Sequence, residues 1–172
     1  MKETFNILLP SLVTVFLLLI FVVLFFRQEN RRRLHEMRLK EGQELMRLRM
    51  QAYERLILLI ERLNPESLVL REQKHAMTSL QFQNHLLKII RHEFEHNLTM
   101  QLYVDNDTWQ KIKAAREGLI RLINTTANNI KADAPALELG RFLIENVGRD
   151  LNLYFNDAIA TIKKEMNRYY GA

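Results

Sequence analysis

The sequence has no cysteine, and only five glycines and three prolines among 172 residues. Without cysteine there is no disulfide, no thiolate metal site, no cysteine nucleophile and no lipidated cysteine. So few glycines and prolines argue against a loop-rich β fold and against long disordered tracts. Glycine-rich phosphate loops, a G-x-S-x-G elbow and kinase signatures are also missing. What the chain does have is apolar residues, 48% of the total, enough for a substantial core.

Charge is missing from one long stretch as well. From Phe5 to Phe26, "FNILLPSLVTVFLLLIFVVLFF" runs 22 residues without a charged side chain. As a helix it measures roughly 33 Å, against a hydrocarbon core of ~30 Å. A cleaved signal peptide fits poorly, because the run exceeds a signal peptide's apolar region and no small-x-small cleavage site follows. The run therefore predicts a retained transmembrane helix over 5–26, after a short tail at 1–4.

On the near side Lys2 is cancelled by Glu3. On the far side Arg27, Arg31, Arg32, Arg33, Arg38 and Lys40 face only Glu29 and Glu36. The positive-inside rule then puts everything after residue 26 in the cytoplasm and the tail outside. Arg27, Arg31, Arg32 and Arg33 are the expected contacts with anionic lipid headgroups. Residues 27–40 hold +4 of the chain's formal +5, so the remainder of the chain is nearly neutral. A nucleic-acid binder would carry its basic footprint on the folded domain, so nucleic acid is not an expected partner.

Beyond the span the pattern is helical. Leu34, Met37, Glu41, Leu45, Leu48, Ala52, Leu56, Leu59 and Leu63 recur at three- and four-residue steps, with Leu39, Met46, Met50, Tyr53, Ile57 and Ile60 beside them. Two adjacent stripes favour a bundle over a two-stranded coiled coil. A basic juxtamembrane and amphipathic helix is predicted over 27–63, with Gly42 as its weak point. Asn64-Pro65 ends it, and "PESLVLRE" reads as either a short helix or an extended link. "TSLQ" offers a capping box at Thr78 and Gln81, opening a helix through Phe82, Leu86, Ile90, Phe94 and Leu98 to about Leu102. Asp105, Asn106 or Asp107 caps the next helix, whose core face holds Trp109, Ile112, Leu119, Ile120, Ile123, Ala127 and Ile130. "KADAPALEL" breaks the pattern at Asp133 and Pro135; a further helix runs to about Gly148, and another from about Asp150 to Tyr169. The expected fold is all-α: a bundle of about four to five helices, with 64–172 packing against 45–63.

One motif carries chemistry. His92-Glu93-Phe94-Glu95-His96 satisfies H-E-x-x-H, in which two imidazoles one turn apart hold zinc and the Glu acts as general base. His85, His92 and His96 fall within about 40° of one another on a helix, on one polar strip. The extended metzincin pattern fails, since Thr99 and Leu102 stand where Gly and His belong. Glu117 stands near the separation of a thermolysin-like third ligand, but such enzymes align substrate along a strand, and no strand is expected. Solvated or interface histidines are the preferred reading, and no catalytic residue or cofactor is assigned. Zinc at His92, His96, Glu117 and His85 stays as the alternative, with a membrane-bound metallopeptidase as its consequence. The N-x-T triplets at Asn97, Asn106 and Asn124 fall in helical segments and carry no expectation.

"QAYERLILLIERLNPESLVLR" (51–71) and "EFEHNLTMQLYV" (93–104), with the N-terminal span and its arginine-rich exit, carry a resemblance. The chain resembles an uncharacterised family of small single-pass inner-membrane proteins of Bacteroidota, from residue 1 to about 130. The resemblance implies a bacterial inner (plasma) membrane location and a helical cytoplasmic domain, with no established activity. It also implies that Glu93, Phe94, Glu95, His96 and Asn97 form the meaningful unit, with His92 an incidental neighbour. The functional expectation is a non-enzymatic scaffold, adaptor or accessory subunit of an envelope membrane complex. Its partners are the bilayer, other membrane or cytoplasmic proteins and, on its two-striped helix, further copies of itself. Phe94, Glu95, His96, Asn97 and Trp109 are the expected interface residues.

Overall fold

The computed structural model describes residues 2–74 and 76–171, with side chains at 18–33, 36–74 and 76–171. The described residues form six α-helices and one 3-10 helix: α1 (Lys2–Leu63), α2 (Pro65–Glu72), α3 (Ser79–His96), the 3-10 turn Leu98–Leu102, α4 (Asn106–Asn128), α5 (Ala136–Glu145) and α6 (Arg149–Tyr170). They divide into two compact units, Met1–Arg47 and Leu48–Ala172.

The first unit lies within α1. Leu18 to Phe26 are all exposed, between 41% and 66%. Farther along, Arg33 pairs with Glu29 one turn back at 2.9 Å, and Arg47 pairs with Glu44, contacts between neighbouring turns of an exposed helix. The helix passes through Gly42 without a break. Residues 5–17 of the predicted span, and Leu34 of the predicted stripe, lie outside the residues whose side chains are described. Among the described residues no helix is long and apolar enough to cross a membrane. Met37, Leu39, Leu45 and Met46 are 44–53% exposed, so the stripes are not buried at this end of the helix.

Burial begins in the second unit. Ala52, Tyr53, Leu56, Leu59, Ile60 and Leu63 are at most 1% exposed, the two stripes entering one core. Asn64 closes α1, and its Oδ1 accepts from the Glu66 amide at 3.1 Å. Pro65 takes the first position of α2, where its fixed φ suits a helix and its missing N–H is not needed. The segment left open as helix or link is thus a helix that buries Leu68 and Val69, and it brings the second unit beyond the expected helix count.

The capping box that opens α3 is complete. Thr78 Oγ1 accepts from the Gln81 amide at 3.3 Å, and Gln81 Oε1 accepts from the Thr78 amide at 3.0 Å. Phe82, Leu86, Ile90 and Phe94 form its buried face. α3 stops at His96 rather than Leu102, because the Asn97 side chain donates back to the Glu93 carbonyl at 2.9 Å and the chain tightens into a 3-10 turn. Leu98 therefore leaves the stripe and is 43% exposed.

The loops before α3 and α5 are tied together. Ser79 donates to the Ala134 carbonyl at 2.7 Å, and Ala136 to the Met77 carbonyl at 3.0 Å. This is an isolated bridge between Thr78 and Pro135, and no strand forms among the described residues. α4 and α6 meet closely at Gly118, where an added Cβ would stand 3.0 Å from Leu151 Cδ1.

The apolar stripe of α6 runs Leu151, Phe155, Ala158, Ile162 and then reaches Glu165, only 5% exposed. Its Oε1 accepts from the Tyr53 hydroxyl at 3.0 Å and from the Asp105 amide at 2.9 Å, and its Oε2 accepts from the Thr108 hydroxyl. Asp105 is the N-cap of α4, but its side chain makes no capping bond. Glu165 instead satisfies that orphan amide from a different helix, where the positive end of α4 favours a carboxylate.

Glu165→Ala should lower unfolding stability by about 3 kcal/mol, since it strands two hydroxyls and an amide. Glu165→Gln keeps one acceptor and should lose less. Thermal unfolding of the full chain followed by circular dichroism checks both. The Tyr53 phenol is pushed up from its ordinary 10.0, first by burial and then by the Glu165 carboxylate. Its raised value means that its contribution is whole below pH 10 and fades as pH rises above it. Urea midpoints measured against pH should therefore fall less steeply above pH 10 in Tyr53→Phe than in the parent chain.

Candidate functional site

The helix that carries H-E-x-x-H sorts its residues by face. With Phe82, Leu86, Ile90 and Phe94 turned into the core, the polar strip falls on the opposite side. His85 lies at the near end of that strip and is half-buried, with Nε2 3.0 Å from Glu72 Oε2 on α2. Burial alone would raise the Glu72 carboxyl, but hydrogen bonds from Arg71 and His85 outweigh it and hold the group below its ordinary 4.5. His92 and His96 are exposed, with no protein partner in hydrogen-bond or ion-pair range among the described residues.

Glu93, the residue that would act as base, is engaged. Its carboxylate, 15% exposed, takes Arg62 Nη2 of α1 at 2.7 Å. The partner is thus an arginine of the same chain. Glu117 is exposed on α4, and the cation in reach of it is Arg116 at 3.7 Å. Among the described residues no group of three or more His, Asp or Glu side chains is gathered to hold a metal ion. The residues of the zinc alternative are thus not assembled: His85 belongs to Glu72, Glu93 to Arg62, and Glu117 to the face of another helix.

The expected interface set divides too. Phe94 and Trp109 are 5% and 6% exposed and pack on each other with ring centroids 5.2 Å apart. Arg116 lies 4.1 Å over the Phe94 ring, which accounts for its buried Nε having no hydrogen bond. Asn97 is buried as the cap of α3. These three residues serve the fold, which leaves Glu95 and His96 on the surface. Beside them a shallow cleft of about 200 Å³ runs between α1 and α3, lined by Arg55, Leu58, Leu59, Arg62, Glu93, His96 and Asn97. Leu58 is 56% exposed at its edge, and Arg55 makes no ion pair. Sequence reasoning passed over Arg55 and Arg62. Their signal was present, two arginines seven residues apart flanking the aliphatic run Leu56 to Ile60, but only the approach of α3 gives them a site.

A second, open cleft of about 480 Å³ borders the buried carboxylate, with Asp105, Asp107, Thr108, Lys164, Glu165 and Arg168 around it. Arg168 pairs with Asp105, and Lys111 reaches Asp157 at 2.7 Å, so α4 and α6 are also pinned from outside. Arg31, Arg32 and Arg33 are exposed on α1, as is Arg27.

Zinc analysis of the purified full chain should give well under one equivalent, and His92→Ala with His96→Ala should leave that value unchanged. Stoichiometric zinc that disappears in the double variant would overturn the reading of these residues. For the His85 pair the depressed Glu72 carboxyl sets the sign: its contribution is present above pH 4.5 and lost as pH falls through the lower folded value. The stability gap between the parent and Glu72→Gln should therefore be small at neutral pH and shrink as pH falls below 4.5, as read from urea midpoints.

The model of a family of unknown function (DUF7935) matches residues 1–169, and the chain belongs to that family. No curated protein and no solved structure matches it.

Proposed function

We propose that this family member is a non-enzymatic helical adaptor, or accessory subunit of an envelope complex, held in a bacterial inner membrane by residues 5–26. The observation that carries the reading is the row of nine consecutive apolar side chains, Leu18 to Phe26, all exposed to at least 41%. A contiguous apolar surface of that kind is not stable in water and marks contact with lipid or with another protein. The uncharged run of 22 residues supports lipid.

Arg27, Arg31, Arg32 and Arg33 follow at once, suited to anionic headgroups and to retention on the cytoplasmic side. The helical domain then lies in the cytoplasm, with the four-residue tail outside. Other membrane or cytoplasmic proteins, and further copies of the chain, are its partners; nucleic acid is not. What favours an adaptor over an enzyme is how the polar groups are used. Glu93, His85 and Glu165 each hold one helix to another, while Arg55, Glu95 and His96 remain free at the surface.

The native absence of cysteine makes the topology directly measurable. Glu3→Cys should react with a membrane-impermeant maleimide in intact spheroplasts, and Lys163→Cys only after lysis. The chain should stay with the membrane through alkaline carbonate and leave it in detergent. Recovery in the soluble fraction, or labelling of Lys163→Cys in intact spheroplasts, would sink the proposal.

A further inference from the structure

α4 and α5 finish side by side, α4 at Asn128 and α5 at Glu145. Between their last turns lies a cleft of about 410 Å³, within the size range of small-molecule sites. Leu122, Ile130 and Phe142 supply its apolar wall, and Thr126, Asn129 and Asn146 its polar one. In a chain with 26% charged residues, no charged side chain lines it.

Three observations agree on what the polar wall offers. The first is Thr126, 6% exposed, whose hydroxyl makes no hydrogen bond and which borders the cleft. The second is the pair of asparagines. Asn129 Nδ2 donates to the Thr125 carbonyl at 3.2 Å, and Asn146 Nδ2 to the Phe142 carbonyl at 2.8 Å. Each amide spends one of its two N–H donors on its own helix, and its Oδ1 has no hydrogen bond and can meet a ligand. The third is the convergence of two helix C-termini, each carrying roughly half a negative charge on its carbonyls. All three present acceptors, and two of them repel an anion.

We infer that this cleft is a binding site for a small amphipathic amine: an aromatic or short aliphatic body against Leu122, Ile130 and Phe142, with an ammonium head on Thr126 and the two asparagine oxygens. The ammonium has three donors and no acceptor, the complement of this wall. A carboxylate of the same shape would be repelled by the two negative helix ends. The inference is independent of the membrane-adaptor proposal, since every group it uses belongs to α4, α5 and the residues that cap them.

The test uses the full chain, carrying ¹³C-methyl labels on Leu, Ile and Thr, in nanodiscs of neutral lipid, with phenethylamine as probe. Phenylethanol and phenylpropionate serve as the neutral and anionic analogues. Saturable shifts of the Leu122, Thr126 and Ile130 methyls are expected with the amine, with the carboxylate at least ten-fold weaker and the alcohol in between. Thr126→Val, which keeps the shape and removes the hydroxyl, should weaken the amine several-fold. Thr125→Trp, at the exposed rim, should block the cleft while leaving thermal unfolding unchanged. The inference is overturned if no saturable shift appears, if the carboxylate binds as tightly as the amine, if the shifted methyls lie elsewhere, or if the Thr125→Trp chain melts normally and still binds.

Discussion

The structure of the second unit depends on one buried carboxylate. Glu165 ties the end of α1 to α4 and α6 through the Tyr53 hydroxyl, the Asp105 amide and the Thr108 hydroxyl. An ionised group at 5% exposure is tolerated only where its acceptors are filled, and here they are filled by donors from other elements. The arrangement specifies register as well as contact. Shifting α6 by one residue would remove the carboxylate from the start of α4, leave a capping amide open and place an unpaired charge in the core. Apolar packing along Leu151, Phe155, Ala158 and Ile162 would tolerate such slippage far better. The polar hub is thus what makes one of several apolar packings unique.

Aromatic contacts widen the same junction. Tyr170 meets the Tyr53 ring edge-on with centroids 6.3 Å apart, and Arg49 lies 4.3 Å over the Tyr169 ring. These closing tyrosines clamp α1 from α6. Arg49 and Arg116 are the two arginines whose buried Nε lacks a hydrogen bond. Each is stacked on an aromatic face, a contact that a weakly hydrated planar cation tolerates.

Periodicity made the helices legible. The stripes of α1 beyond Ala52, the capping box at Thr78 and Gln81, and the four-residue run Phe82, Leu86, Ile90 and Phe94 follow from rules of spacing that need no tertiary knowledge. The misreadings lie where a single side chain decides. Asn97 ends α3 by folding onto the Glu93 carbonyl, and an Asn in a polar stretch gives no sequence sign of doing so. Glu165 was legible in principle, as an acid in the next core position after Ile162, but its partner amide, Asp105, stands at the start of a different helix. The Asp105 side chain, which the sequence offered as a cap for α4, pairs with Arg168 instead.

The H-E-x-x-H pattern shows the same difficulty from the functional side. Its letters fix only that His92, Glu93 and His96 share a region of one helix. Whether they form a site depends on what the neighbouring helices bring, and α1 brings Arg62 to the carboxylate. A general base must be free to accept a proton from a metal-bound water. A carboxylate held by a guanidinium at 2.7 Å is instead committed to joining α1 to α3. With Phe94 under Arg116 and Asn97 closing the helix, the inner residues of the segment 93–97 are structural. Glu95 and His96 are left as the part that can meet another molecule, beside a cleft whose free cation is Arg55.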